Sequence, residues 1–333
     1  MTGASGWLGQ ALVRALLADG AGRVRGLVQG AEEAAQLTAL GPSVEAVSGD
    51  IRDPGATDRL FAGAAGADVV HAASVIHPRT AREFYDVNVG GTDLVLDRAR
   101  RHGIRRVVYV SSNSPFGFNA GPDDAFDESS PYNPYMGYGR SKMEAEVLVR
   151  RAGERGDVET VIVRCPWFYG EHQPERQTQF FVMVGRGRFP LVGNGRNRRS
   201  LVYTGNLAAG LVLAQRHEDA AGRAYWIADA RPYDMIEILT TVQRAMRDEG
   251  LAVKGGYVRV PGVLSRVAEV ADGFLQGRGR YAQQAHVLSE MSRTIACRID
   301  GATRELGYRP DVELYEGMRR SVRWCLAQGR VLT

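Results

Sequence analysis

Thr2-Gly3-Ala4-Ser5-Gly6-Trp7-Leu8-Gly9 is the stretch on which the fold turns. Its glycines recur at every third residue, and it runs directly into Leu8, Leu12, Ala15 and Leu16, an apolar stripe of helical period closed by Gly20. Glycines so spaced let a backbone approach a pyrophosphate and let a helix pack close to a sheet. The helix start behind them offers free N–H groups and a partial positive charge to an anion. Alone, such a triplet decides little. Here an apolar strand follows the helix, and Gly49-Asp50-Ile51 closes the strand after that, so the segment predicts a dinucleotide site.

Working outward, the sequence predicts strands near 24–28, 44–47, 68–72, 107–110 and 160–163, with helices between them. One of these helices carries Val89, Leu94, Leu96 and Ala99 and ends at Gly103. The alternation predicts an α/β, Rossmann-like, doubly wound parallel sheet, which a late strand near 224–227 rejoins. Residues 1–164 with about 200–229 would form this NAD(P)-binding domain, and about 165–199 with 230–333 a smaller, mainly helical substrate lobe. Only Met1 precedes the glycine loop, where a buried apolar strand is expected, so the first strand reads as truncated. Losing it would cost more than the ~5–15 kcal/mol margin of a domain. The natural protein is therefore expected to begin several residues upstream, Met1 standing where a valine codon was read as an initiator. An intact mass from the native host matching residue 1 would refute this.

With 44% hydrophobic and 24% charged residues in 333, the chain reads as globular, and no apolar run reaches the ~18 residues of a membrane span. The cytoplasm is the expected compartment. Cys165, Cys297 and Cys325 are odd in number and form no C-x-x-C pair, so they read as packed thiols. The six histidines show no ligand spacing and no metal is expected; His71 reads as a packed polar residue. A G-x-S-x-G elbow is absent. The net charge of +4 comes from arginines scattered among 38 acids, which argues against a nucleic-acid partner. The apolar run 263–275 is too short to span a bilayer; core packing is the first expectation, a lid over an apolar substrate or a membrane-surface helix the others.

Tyr138-Gly139-Arg140-Ser141-Lys142 opens a helical run, and the four-residue offset sets Tyr138 and Lys142 on one face. Forty of the 42 basic residues are arginine, with Lys142 and Lys254 the exceptions, so a lysine here points to a need for a compact ammonium. The chemical reason is the phenol, a poor base near neutrality: lowering its pKa by three units takes about 4 kcal/mol. One cation about 5 Å away, at an effective dielectric near 20, supplies roughly 3 kcal/mol of it. Ser111 and Ser112 follow the strand RRVVYV, at the carboxyl end where sites of parallel sheets lie. Ser112 is assigned to hydrogen-bond the reacting oxygen while Tyr138 moves the proton, with Ser111 as the alternative.

The glycine spacing, Asp50-Ile51, His71-Ala72-Ala73, Asn88-Val89-Gly90-Gly91-Thr92, VVYVSS, YGRSK and Tyr169-Gly170 together resemble the extended short-chain dehydrogenase/reductase superfamily, also described as the NAD-dependent epimerase/dehydratase family. The resemblance spans nearly the whole chain. It implies bound NAD or NADP and hydride transfer at a secondary alcohol or ketone carbon of a small molecule. Catalysis would fall to Ser112, Tyr138 and Lys142, with Lys142 also holding the nicotinamide ribose. Cofactor contacts would come from Gly3, Ser5, Gly6, Trp7, Leu8, Gly9, Asp50, Ile51, Ala72, Ala73, Ser74, Asn88, Tyr138, Lys142, Pro166 and Phe168. Asp50 would accept from the adenine amino group or else cap a turn, and Trp7 would pack on the loop. Gln29 is neutral where the 2′-position is read, leaving NAD against NADP open. Homodimers, built on helices such as the one carrying Tyr138, are frequent in the family.

VYTGNLAAGLVLA (202–214) and FYGE (168–171) resemble the 3β-hydroxysteroid dehydrogenase-like branch, which acts on apolar alcohols and ketones. Nucleotide-sugar epimerases are similar too, and in their pattern Arg199 would grip substrate phosphates. Trp167, however, stands where they commonly carry an asparagine, and indole accepts no hydrogen bond. Asn113 and Ser114 replace the acidic pair used in 4,6-dehydration. Asn113, Trp167 and Arg199 are the candidate substrate contacts. A reductase or dehydrogenase is the first expectation, an epimerase the second, and a cofactor-binding protein without turnover the third.

Overall fold

The computed structural model describes residues 1–278 and 290–333. Helix α1 (Trp7–Ala18) leads to β1 (Val24–Val28), α2 (Ala31–Thr38), β2 (Val44–Ser48), α3 (Pro54–Phe61) and β3 (Asp68–His71). A π-helical segment, Phe84–Gly90, then passes into α4 (Gly91–Arg101), followed by β4 (Arg106–Ser112), α5 (Met136–Glu154) and β5 (Glu159–Cys165). β1 pairs parallel with β2, and β3, β4, β5 and the later β10 (Ala224–Trp226) form a parallel sheet, so the expected rejoining strand is present. The predicted strand near 107–110 extends to Ser112, because β4 pairs with β5 through its whole length, Arg106 to Ser112, with β3 on its other side up to Tyr109.

Met1 and Thr2 occupy the centre of this sheet. The Leu27 amide donates to Met1 O at 3.0 Å, Thr2 donates to Val70 O at 3.1 Å, and Ala72 donates to Thr2 O at 3.2 Å. Two residues therefore join the β2–β1 pair to β3 where a full strand is the rule. The amino group of Met1 donates to Arg25 O at 2.5 Å, and burial pushes its pKa down to about 5. Flanking it, α1 and α7 (Thr204–Arg216) cover one face of the sheet with Leu12, Val13, Leu207 and Leu211, and α3, α4 and α5 cover the other with Leu60, Val95 and Val149. A buried ion pair, Arg164 to Glu146 at 3.0 Å with Arg164 also over the Phe116 ring, fixes β5 against α5.

Beyond β5 come β6 (Trp167–Tyr169), α6 (Glu175–Gly185), β7 (Pro190–Val192), β8 (Arg198–Arg199) and β9 (Leu201–Tyr203). After β10 follow β11 (Tyr233–Asp234), α8 (Met235–Asp248), β12 (Val258–Val260) and α9 (Gly262–Gly277), then helices Asp300–Leu306 and Leu314–Ala327. Phe181, Leu191, Ile238, Val242, Met318 and Val322 build a second apolar core here. Among the described residues no helix is long and apolar enough to cross a membrane.

The described apolar side chains Val267, Val270 and Phe274 of the run 263–275 do not pack into the core as first expected, while the side chains of 263–266 and 268 lie outside those described. Val267, Val270 and Phe274 are 59%, 75% and 58% exposed, whereas Asp272 is fully buried. The helix docks through its polar side: Gln276 Oε1 accepts from the Gly137 amide at 3.0 Å, and Gln276 Nε2 donates to Asp272 at 3.0 Å. An unpaired amide at the start of α5 demands a polar partner, and this inverts the helix relative to its hydropathy.

Candidate active site

The glycine loop has the shape an anion cradle needs. Gly3 sits at φ +68°, and a Cβ there would fall 2.8 Å from the Ala72 and Ala73 backbone; a Cβ on Gly9 would lie 2.0 Å from Gly3 O. Gly6 caps α1 without a side-chain bond, and the first turn carries no acid, so its amides are left for an anionic ligand. Leu8 is buried and can offer only its backbone. Trp7 ties the loop to β6: its Nε1 donates to Glu171 O at 2.6 Å, and its ring packs on Phe168 with centroids 4.8 Å apart. Ile51 packs against Gly91, where a Cβ would come within 3.1 Å. Asp50 is engaged by Arg52 at 2.7 Å, which holds its carboxyl below the usual range.

Sheet register assembles the catalytic candidates. Ser112 pairs opposite Cys165 and so stands beside Pro166 and Trp167, while Trp167 pairs with Leu201, two residues after Arg199. Ser112 Oγ lies 3.2 Å from Ser114 Oγ and 3.5 Å from Asn113 Oδ1. Across from them, Tyr138 lies in the first turn of α5, with Gly139 letting that turn close on Ser114 O, where a Cβ would stand at 2.5 Å. Burial raises the phenol well above its ordinary pKa, and hydrogen bonding with Ser112 and Ser74 pulls it back. Ser111, the alternative to Ser112, is 2% exposed, so Ser112 is the serine that reaches the phenol.

Asn88 holds these pieces together. Its Oδ1 accepts from Ser74 Oγ at 3.0 Å and Val75 N at 2.8 Å, and its Nδ2 donates to Val75 O at 3.1 Å and Ser141 Oγ at 3.0 Å. Ser141 Oγ in turn donates to Tyr138 O at 2.8 Å. All four bonding capacities are filled and the residue is 1% exposed, so Asn88 positions Ser74 and α5 and presents no free polar atom to a cofactor. The π-turn aims it inward, a detail that helical periodicity does not encode.

Lys142 bonds into the sheet. Its Nζ donates to Val110 O at 2.8 Å and sits 4.2 Å over the Tyr109 ring, and burial lowers its pKa to about 8. A buried ammonium takes the nearest carbonyl, so it points toward β4, and after burial the largest influences on the phenol come from Cys165, Ser112, Ser74 and Glu290. His71 bridges Thr2 Oγ1 at 2.7 Å and Thr92 Oγ1 at 2.9 Å, and burial pushes it down to about 3, leaving a neutral packed ring.

Two contacts escape sequence reading. Glu33, in the first turn of α2, accepts from Ser5 Oγ and Gln29 N, both at 2.9 Å, which places a carboxylate between the phosphate loop and the end of β1. An acid there was hidden because Gln29 occupies the usual reading position. Arg199 donates to Glu290 O at 2.5 Å, and the negative field of Glu290 reaches both Arg199 and Tyr138. Trp167 remains 37% exposed, its ring edge-on to Phe180 at 5.2 Å.

Comparison with known proteins agrees with this geometry. A family model described as the NAD dependent epimerase/dehydratase family matches residues 1–228. The Sinorhizobium fredii protein y4nL is 46% identical over 99% of this chain and 95% of its own length. A Stigmatella aurantiaca 4-hydroxy-2-methyl-3-oxo-4-farnesyl-3,4-dihydroquinoline-1-oxide ketoreductase is 32% identical over 96% of this chain and 93% of its own. Among solved structures, DesIV, a dTDP-glucose 4,6-dehydratase from Streptomyces venezuelae with NAD bound, superposes with a TM-score of 0.76 at 27% identity, covering 98% of this chain and 96% of DesIV. A glycine cradle fitted to a pyrophosphate, a parallel sheet ending in Ser112, and similarity along almost the whole chain lead to one assignment: this protein is an NAD-dependent enzyme of the epimerase/dehydratase family, of the extended short-chain dehydrogenase/reductase type.

Proposed function

We propose that the protein interconverts a secondary alcohol and a ketone on an apolar small molecule, with Tyr138 as the proton-transferring group. Bound NAD supplies the hydride acceptor or donor. The first turn of α1 holds its pyrophosphate, Ser112 hydrogen-bonds the reacting oxygen, and the Tyr138 phenol passes a proton to or from it. Lys142, whose ammonium rests on Val110 O, would turn to the nicotinamide ribose of a bound cofactor and so bring positive charge toward the phenol. Asn88 and Ser74 fix the phenol's direction.

One observation carries the choice of an apolar ketone or alcohol over a nucleotide sugar. The cation that would grip a diphosphate, Arg199, is already spent on Glu290 O within the field of the Glu290 carboxylate, beside an exposed indole. A second diphosphate would meet that negative field. The similarity to a ketoreductase acting on a farnesylated ring supports the same reading. The test is stoichiometric. Apolar ketones added to enzyme and NADH should consume near-ultraviolet absorbance mole for mole, whereas conversion of UDP- or dTDP-sugars with no net absorbance change would establish an epimerase in its place.

Glu33 sets the cofactor preference in this proposal. Its carboxylate lies where a 2′-phosphate would arrive, and like charges so placed repel. Glu33→Gln is expected to improve kcat/KM for NADPH by about tenfold relative to NADH, equivalent to ~1.4 kcal/mol. An unchanged ratio in paired NADH and NADPH assays would remove Glu33 from this role.

A further inference from the structure

The outer face of α9 is apolar and solvent-exposed. Val267, Val270, Ala271 and Phe274 fall at helical spacing along one side, three of them more than half exposed, over about 10 Å of helix at 1.5 Å per residue. Arg278 continues the same side one turn on, with its guanidinium 3.6 Å from the Phe274 ring centroid, and Val258 and Arg259 of the preceding β12 are exposed as well. Both acids described on the helix are withdrawn from this face: Asp272 is fully buried and Glu269 pairs with Arg293 at 2.7 Å. An apolar ridge with cations at its ends and no described acid on it complements an anionic lipid surface.

We propose that α9 is a membrane-surface contact, lying in the interface of a bilayer containing anionic lipid with Val267, Val270 and Phe274 inserted. A second copy of the chain fits the ridge poorly, since a face about 10 Å long falls far short of the ~800 Å² that each partner of a stable dimer contributes. A short apolar ridge with few cations gives a reversible, salt-sensitive association. The opposite side of the same helix holds Gln276 on the Gly137 amide, one residue from Tyr138, so the contact would set the site beside the bilayer. The proposal stands on the exposed face alone, whichever reaction the site performs.

Sedimentation with sucrose-loaded vesicles tests it. Wild-type protein is expected to pellet with phosphatidylcholine:phosphatidylglycerol (70:30) vesicles, at least tenfold more weakly with pure phosphatidylcholine, and to be released as salt is raised. Val270→Asp combined with Phe274→Asp should cut binding at least tenfold while NADH binding is unchanged, which shows that the variant is folded. Absence of wild-type binding to the mixed vesicles, or undiminished binding of the variant, would overturn the proposal. So would a dimer by light scattering that the same substitutions dissolve in the absence of vesicle binding.

Discussion

Tyr138→Phe is expected to lower kcat by about 10³-fold or more while NADH affinity changes by less than about twofold. The substitution removes one oxygen from a place where no other described group can take over its proton. Ser112 and Ser74 both bond that oxygen, yet neither hydroxyl is a base near neutrality. The ring itself is unaffected, since a phenylalanine keeps the contact with Phe84, whose centroid lies 5.8 Å away. The network that orients the first turn of α5 runs through Tyr138 O, not the phenol, and survives intact. Binding should follow the phosphate loop, more than one helix away. Turnover with a ketone substrate, together with fluorescence titration of NADH, separates the two effects. Appreciable residual kcat would exclude Tyr138 as the proton carrier and leave the site without a named acid/base.

Much of this arrangement was legible in the sequence, and for identifiable reasons. The glycine loop and the strand–helix alternation were readable because backbone approach and sheet burial restrict residue type locally. Ser112 and Tyr138 were singled out by their position after a strand and at a helix start, and Trp167 by the resemblance. What stayed hidden depends on where long side chains go. Glu33 drew no reading from the sequence, and its carboxylate reaches Ser5 only because α2 turns it back toward the glycine loop. Lys142 shares a helix face with Tyr138, but periodicity fixes its Cβ and not its ammonium, which follows the Val110 carbonyl. Helix α9 was misread for a related reason: hydropathy assigns an apolar face to the core unless a neighbouring backbone amide, here that of Gly137, claims the polar one. That Met1 and Thr2 bond to Leu27 on one side and to Val70 on the other emerges only in three dimensions.

Lys142→Met is expected to destroy turnover and, in the absence of cofactor, to make the protein more stable. The ammonium is 2% exposed, with one carbonyl and one ring face as its described partners, and burial lowers its pKa from 10.5 to about 8. A cation with a depressed folded pKa burdens the fold wherever it is charged. The burden is complete below about pH 8, shrinks as pH rises because the unfolded chain still binds the proton that the folded chain has released, and vanishes above about 10.5. At neutral pH it corresponds to roughly 3 kcal/mol, from which Met loses something by leaving Val110 O without its donor, so a net gain on the order of 2 kcal/mol is expected. Wild-type stability should climb between pH 8 and 10.5, and the variant's should climb less across that window. The activity profile should show the same group from the other side, with wild-type turnover falling as pH rises past about 8 and the ammonium loses its charge. Urea unfolding of both proteins at pH 7 and pH 10 decides the matter: a Met variant less stable than wild type at pH 7 would show that Lys142 stabilises the fold, and its retention would then need no catalytic explanation. A stabilised but inactive variant would mean that the enzyme keeps a costly buried charge because the phenol four residues earlier needs it.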